Sequence, residues 1–191
     1  GGLSTFYDQI KGYVQGDGTP RFSPFFIPKM ISNIASGSIS IKYGFRGPNF
    51  ATVSACASST HALIDAVNYI KLGKADIFIT GGSEAAINEP GIGGFNAMMA
   101  MSTNNAEYQT ASRPFDLTRD GFVMGEGSGA IIVEDLEHAR ARGAKLYAEL
   151  AGTGMTADAF HLTAPHPEGT GARNVMKIAV SDAGLKPEDI D

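Results

Sequence analysis

Cys56 is the one cysteine of this 191-residue chain and the side chain best placed for nucleophilic chemistry. It follows a segment of strand character at 50–54 and directly precedes a helical pattern over 57–72. Backbone N–H groups and the helix dipole stabilise an anion at a helix N-terminus, which favours a thiolate there. Small neighbours such as Ala55 leave room for a substrate. The position predicts an acyl-accepting nucleophile, with a small buried hydrophobic residue as an equally weighted alternative.

Ser83 is a second candidate nucleophile. It follows an apolar strand pattern at 76–80, in a segment that nearly matches the Gly-x-Ser-x-Gly elbow of serine hydrolases. Ala85 stands where that elbow has its second glycine. Because a Gly-Gly turn after a strand is common, a hydrolase is the less favoured interpretation.

The histidines give little support to a metal site. His161 and His166 share a predicted loop with Asp158, but the chain has neither a His-Glu-x-x-His sequence nor a second cysteine. We expect His161 to line a substrate channel rather than to bind a metal. The glycine clusters at 91–94 and 125–129 lack the full dinucleotide-binding pattern, so neither a metal nor an organic cofactor is predicted.

The composition indicates a globular protein. Hydrophobic residues make up 43% and charged residues 18%, which excludes a disordered polyelectrolyte. A net charge of −5 argues against nucleic-acid binding. No apolar run is long enough to predict a membrane span, and one cysteine fits a reducing compartment, so we expect a cytoplasmic protein.

The elements that must position these residues alternate between strands and helices. Strand 50–54, helix 57–72 and strand 76–80 predict a βαβ unit with a parallel sheet. Residues 1–48 are expected to be irregular except for a helix at about 29–40. The other predicted elements are a helical stretch near 95–101, strands at 130–133 and 147–151, and helices at 136–142 and 170–183.

Five ordered motifs point to one family. They are Val53–Ser59 around Cys56, Gly81–Glu84, Gly91–Phe95, Ser112–Asp116 and Arg119–Gly127. Together they closely resemble the β-ketoacyl-[acyl-carrier-protein] synthases, nearest the type II elongating enzymes of bacterial fatty-acid synthesis. The resemblance covers essentially the whole chain, and it makes Cys56 the expected nucleophile.

The resemblance implies an α/β fold of the thiolase-like, layered αβαβα kind, incomplete in this chain. Residues 1–145 would form most of the first half without its opening strands, and residues 146–191 would begin the second half. The chain is therefore expected to be an internal fragment of a homodimeric enzyme. The family's His-Gly-Thr motif, which follows a strand of the second half, does not occur in this sequence.

The same resemblance assigns roles to individual residues. Cys56 would be the catalytic residue, and Arg21 would contact the acidic carrier protein. No metal site is expected. The substrate-binding residues would be Phe95 beside the acyl pocket, Phe26 reaching the partner subunit's pocket, Thr163 on the pantetheine arm, His161 and Ala55. Two departures affect details, since Met99 stands where a close relative carries arginine and Ala164 where one carries serine.

The implied activity is decarboxylative condensation of an acyl thioester with malonyl-acyl-carrier protein through a cysteine acyl-enzyme. Acyl- and malonyl-loaded carrier protein are the expected partners, with no nucleic acid, membrane or cofactor involved. A polyketide ketosynthase domain shares this chemistry and stays an alternative. A non-catalytic chain-length-factor subunit would normally lack the cysteine, and a serine hydrolase would use Ser83.

An isolated polypeptide of these 191 residues is expected to show no condensing activity and to aggregate. The groups that stabilise the carbanion in this family belong to motifs that the sequence lacks. The check is to assay the purified polypeptide for malonyl decarboxylation and ketoacyl product. Measurable turnover at either step would contradict the expectation, whereas slow acylation of Cys56 alone would agree with it.

Overall fold

The computed structural model describes residues 2–191, in which helices outnumber strands. The helices are α1 Leu3–Gln15, α2 Phe26–Met30, α3 Ile34–Tyr43, α4 Ser58–Lys71, α5 Glu89–Ala97, α6 Leu136–Ala141 and α7 Thr170–Asp182. The strands are β1 Ile77–Glu84 and β2 Gly127–Glu134, and 3₁₀ turns occupy Ala55–Ala57, Tyr108–Thr110 and Pro187–Asp189. No helix in this part of the chain is both long and apolar enough to cross a bilayer.

Strands β1 and β2 pair with each other, and their register is antiparallel. Next to the start of β1, the Asp135 N–H donates to the Asp76 carbonyl at 2.9 Å. Further along β1, a Cβ added to Gly81 would lie 2.1 Å from the Gly129 carbonyl oxygen. Residues later in β1 therefore pair with residues earlier in β2. At Gly81 this close approach leaves no space for a side chain.

The predicted parallel βαβ unit is wrong, because no strand forms at 50–54 and the described sheet holds only β1 and β2. Segment 147–151 is also unpaired. A sequence pattern reports how well side chains fit a pleated surface, but a strand exists only where a neighbour completes its hydrogen bonds. The helices predicted at 57–72, 136–142 and 170–183 are confirmed to within two residues.

Helix α1 contradicts the expectation that residues 1–48 are largely irregular. Its apolar residues Leu3, Phe6, Ile10 and Val14 recur at helical spacing, so the signal was present in the sequence. No side chain caps the start of α1, so the sequence carries no N-cap signal there.

The residues up to Ser59 and Thr80–Ile131 form one compact unit. Phe26 of α2 stacks on Phe6 of α1 at 6.2 Å and on Phe22 at 5.3 Å between ring centroids. The Tyr7 hydroxyl of α1 donates to the Glu89 carboxylate at the start of α5. Aromatic stacking and a polar contact therefore attach α1 to both α2 and α5.

Thr60–Ile79 and Ile132–Asp191 form the second compact unit. Its buried apolar side chains are Ile64, Ala66, Val67 and Ala139. Helix α7 lies so close to the chain at 152–154 that a Cβ on Gly152 would be 2.4 Å from the Ala179 carbonyl oxygen. The Thr153 N–H donates to Asp182 at 2.8 Å beside this contact. The two units interleave along the sequence, and the predicted domain boundary between residues 145 and 146 stays a prediction.

Large apolar side chains are exposed over much of the described surface. Phe115 is 99% exposed, Leu162 98% and Leu117 94%. Exposed apolar area on this scale is typical of surfaces that associate with other protein surfaces or aggregate.

Glu134, at the end of β2, accepts hydrogen bonds from two side chains that follow it. Arg142 Nη2 lies 2.5 Å and Arg142 Nε 2.7 Å from its carboxylate, and His138 Nδ1 lies 2.6 Å away. The glutamate side chain is only 8% exposed. The hydrogen bond from Arg142, more than that from His138, lowers the pKa of Glu134 from 4.5 to about 2. The Glu134–Arg142 pair thus connects the end of β2 to the residue that follows α6.

We expect Glu134→Gln to remove an acid-sensitive part of the stability. A depressed pKa means that the charged pair stabilises the fold fully above pH 4.5 and loses this contribution as the pH falls toward about 2. The difference in melting temperature between wild type and variant should therefore shrink over that interval. Glu137→Gln is the matched control, since its 2.8 Å pair with Arg140 is exposed. A difference that stays constant from pH 6 to pH 2 would contradict this account.

Candidate active site

Cys56 lies in the middle of the 3₁₀ turn Ala55–Ala57, which leads directly into α4, and its side chain is exposed. Ala55 has a φ of 51°, in the left-handed region. This conformation costs a residue with a Cβ about 1 kcal/mol or more, and such strain concentrates at functional sites. The thiol is thus presented to solvent from a turn that ordinary backbone preferences would not form.

The Ser58 hydroxyl holds this turn in place. Its Oγ accepts from the Ser54 N–H at 2.9 Å and donates to the Ala55 carbonyl at 2.7 Å. Thr52 Oγ1 in turn donates to the Ser58 carbonyl at 2.8 Å. The segment leading to Cys56 is a loop rather than the predicted strand, so these hydrogen bonds, and not a strand pairing, hold it against the turn.

Strand β1 contacts the first turn of α4 at Gly82. A Cβ added there would lie 1.9 Å from Ser59 Oγ and 3.1 Å from Ser59 Cβ. A glycine at position 82 allows this close approach to Ser59, which lies three residues after Cys56 in the sequence. The Gly-Gly pair therefore positions α4 rather than forming a turn of its own.

Ser83 is wrongly placed for a hydrolase elbow. It lies inside β1, Ile77–Glu84, and the next helix begins only at Glu89. A nucleophile elbow needs its serine on the sharp turn from a strand into a helix. The geometric basis of the serine-hydrolase alternative is therefore absent.

The two phenylalanines expected near the acyl pocket lie in defined aromatic contacts. Phe95, in α5, meets Phe122 edge to face at 5.1 Å between centroids and is 38% exposed. Phe26 opens α2 and stacks on the rings of Phe6 and Phe22. These contacts fix both rings, and their role at an acyl pocket stays a prediction.

Arg21 is exposed on the surface beyond α1. Its Nη2 lies 3.0 Å from Asp17 Oδ2. Hydrogen bonds from Thr19, followed by the one from Arg21, lower the pKa of Asp17. The arginine is accessible to a partner, although it already forms an ion pair with Asp17 of the same chain.

His161 and Thr163 belong to the second compact unit. His161 Nδ1 accepts from the Thr163 N–H at 3.2 Å and from the Ala164 N–H at 3.1 Å. The neutral ring then carries its proton on Nε2. Asp158 accepts from the His166 N–H at 2.9 Å, which closes the same loop. Within residues 2–191, no group of three or more histidine, cysteine or carboxylate side chains is arranged to hold a metal.

Ser58 and Thr52 shape the turn, and neither was predicted as a site residue. A signal existed, because serine and threonine are favoured where a helix begins and the helical pattern starts beside Ser58. The partners of these hydroxyls depend on the left-handed Ala55, which no sequence pattern predicts.

The chain is similar to known proteins of one family. The family profile described as "Beta-ketoacyl synthase, N-terminal domain" matches residues 2–139, and "Beta-ketoacyl synthase, C-terminal domain" matches residues 147–191. Over 190 residues the chain is 49% identical to a 3-oxoacyl-[acyl-carrier-protein] synthase 2 of Staphylococcus aureus, covering 100% of this chain and 47% of that protein. It is 52% identical over 172 residues to the mitochondrial 3-oxoacyl-[acyl-carrier-protein] synthase of Arabidopsis thaliana, covering 90% of this chain and 37% of that one.

The fold agrees with the sequence comparison. The chain superposes with a TM-score of 0.93 on a ketosynthase solved in complex with its type II polyketide acyl-carrier protein (AntDE:AntF), at 32% identity. The match covers 99% of this chain and 48% of the solved one. The fold is thus α/β and thiolase-like, as predicted, and the chain spans less than half the length of these relatives. The match of the N-terminal family profile to residues 2–139 shows that the chain belongs to the beta-ketoacyl synthase family.

Proposed function

We propose that this chain supplies the nucleophile for decarboxylative condensation in fatty-acid chain elongation, with Cys56 as the acyl-accepting residue. The observation that carries the proposal is the exposed thiol on a strained, hydrogen-bonded turn at the start of α4, in a chain of this family. Identities of 49% and 52% to 3-oxoacyl-[acyl-carrier-protein] synthases favour fatty-acid elongation over polyketide synthesis, whose ketosynthase is 32% identical.

The reaction divides into two steps. In the first, the Cys56 thiolate attacks the carbonyl carbon of an acyl thioester and the C–S bond to the carrier breaks. The carrier sulfur leaves as a thiolate and takes up the proton that the Cys56 thiol released when it ionised. In the second, a malonyl thioester loses carbon dioxide, and the electron pair of the broken C–C bond attacks the Cys56 thioester. A new C–C bond forms and the Cys56 sulfur leaves, which regenerates the nucleophile. Covalent catalysis replaces one difficult condensation by two easier steps.

The proposal also assigns substrate contacts to other residues of the chain. Phe95 borders the acyl chain, and the small Ala55 leaves the approach to the sulfur open. Phe26 contributes to the pocket of a second subunit in a homodimer. Thr163 contacts the pantetheine arm, and His161 offers the N–H of Nε2 to the substrate, because its Nδ1 already accepts two backbone hydrogen bonds.

Acyl-carrier protein is the proposed partner, in its acyl- and malonyl-loaded forms. The solved relative with a TM-score of 0.93 is a ketosynthase bound to such a carrier protein, which supports this choice. Exposed Arg21 would provide a local positive contact on a chain whose net charge is −5. The setting would be the cytoplasm. No metal or organic cofactor is needed, since decarboxylation itself generates the carbanion.

Cys56 should be the site of acylation in the full-length protein. Incubation with an acyl thioester should add one acyl group to the peptide that contains Cys56, and Cys56→Ala should abolish both this adduct and ketoacyl formation. Iodoacetamide should alkylate Cys56 faster in the folded than in the denatured protein, because the turn presents the sulfur at a helix N-terminus. Peptide mass spectrometry measures both reactions.

Ser83→Ala is the control for this experiment and should keep the acylation rate, since Ser83 lies inside β1. Labelling of Ser83 by a fluorophosphonate, together with an inert Cys56, would refute the proposal in favour of a hydrolase.

Phe95→Ala should change the chain-length distribution of the products more than the melting temperature. Its ring is 38% exposed, so truncation should cost well under the roughly 3–5 kcal/mol of a fully buried phenylalanine. Gas chromatography of the product acyl chains and thermal unfolding measure the two effects. Phe115→Ala, at a side chain 99% exposed, is the control. An unchanged product distribution with a large stability loss would make Phe95 a core residue instead.

A further inference from the structure

We infer that Ser58 is a positioning residue, whose hydroxyl sets the direction of the Cys56 thiol during acylation. The inference rests on the proposed function of Cys56. It is carried by the two hydrogen bonds through which the Ser58 Oγ spans the turn, at 2.9 Å to the Ser54 N–H and 2.7 Å to the Ala55 carbonyl.

The Ser58 hydroxyl bridges two backbone groups, one on each side of the strained residue. It accepts a hydrogen bond from the Ser54 N–H and donates one to the carbonyl of Ala55 itself. A hydroxyl is the smallest side-chain group that both accepts and donates. An alanine at this position would leave both backbone groups without that partner.

The left-handed φ of 51° at Ala55 depends on such support. A strained backbone persists only where the surroundings over-determine it. Without the hydroxyl, the peptide between Ala55 and Cys56 is free to rotate toward an ordinary conformation. Such a rotation would turn the sulfur away from the direction in which a bound thioester is attacked.

Thr52 supports Ser58 from the other side. Its Oγ1 donates to the Ser58 carbonyl at 2.8 Å and so connects the loop before the turn to the first residue of α4. Both Thr52 and Ser58 are half-buried, whereas Cys56 is exposed. The hydrogen bonds from Thr52 to Ser58 and from Ser54 to Ser58 are partly shielded from water, where hydrogen bonds are stronger.

The experiment compares Ser58→Ala and Ser58→Thr in the full-length protein, with hexanoyl-pantetheine as the acyl donor. Single-turnover acylation of Cys56 is followed by mass spectrometry as a function of donor concentration. Ser58→Ala should lower the limiting acylation rate by about tenfold or more, because ångström-scale misplacement of a reacting atom has effects of that size. The half-saturating donor concentration should change little. Ser58→Thr, which keeps the hydroxyl, should restore most of the rate.

Ser40→Ala is the matched control, since the Ser40 hydroxyl also donates to a backbone carbonyl but does so at the end of α3. It should acylate at the wild-type rate. A purely structural role for Ser58 would lower the melting temperature without changing the acylation rate of the folded protein.

Several outcomes overturn the inference. Acylation of Ser58→Ala at the wild-type rate does so, and so does an equal loss in Ser58→Ala and Ser58→Thr. Should Ser58→Ala fail to fold, Thr52→Val decides, since it removes only the supporting hydroxyl: a several-fold slower acylation sustains the inference and a wild-type rate refutes it. A wild-type protein that forms no Cys56 thioester would instead refute the proposed function, which separates the two failures.

Discussion

The hydrogen bond from the Ser58 hydroxyl to the Ala55 carbonyl compensates a conformation that alanine otherwise avoids, and the placement of the thiol depends on it. Ala55 would adopt a common backbone angle in an unconstrained chain. The 2.7 Å contact and the matching one from the Ser54 N–H make the left-handed angle the favoured one here. Cys56 follows Ala55 directly, so its direction is determined by backbone geometry rather than by side-chain packing.

The surroundings of the turn are set by steric exclusion as well as by attraction. At Gly81 and Gly82, β1 passes within contact distance of the Gly129 carbonyl and the Ser59 side chain, where a Cβ would overlap both. Two neighbouring glycines thereby bring one strand against both the second strand and the tip of α4. The contacts of Gly81 with Gly129 and of Gly82 with Ser59 explain why two glycines precede Ser83, in the motif that resembled a catalytic elbow.

The sequence identified the family and predicted Cys56 as the nucleophile, but it did not predict the local geometry. The helical pattern over 57–72 predicted α4 because apolar residues recur at helical spacing, and two of them, Ala66 and Val67, are buried in the structure. The prediction of a strand at 50–54 was wrong because the residue types of a segment cannot reveal whether a partner strand is present. The antiparallel register of β1 and β2 depends on residues 81 and 129, which are distant in sequence, and no local pattern encodes it. The two hydrogen bonds of Ser58 could not be predicted either, since they depend on the positive φ of Ala55.

Ala55 also bears on how the protein can be engineered. Glycine adopts a φ of 51° without steric cost, so a stability screen would favour its introduction at this position. The same exchange would widen the range of backbone angles open to the turn and weaken the preference for the one that presents the sulfur. Under the role proposed for Cys56, this exchange at Ala55 would raise the melting temperature and slow acylation, so selection for heat resistance alone would select against the proposed chemistry.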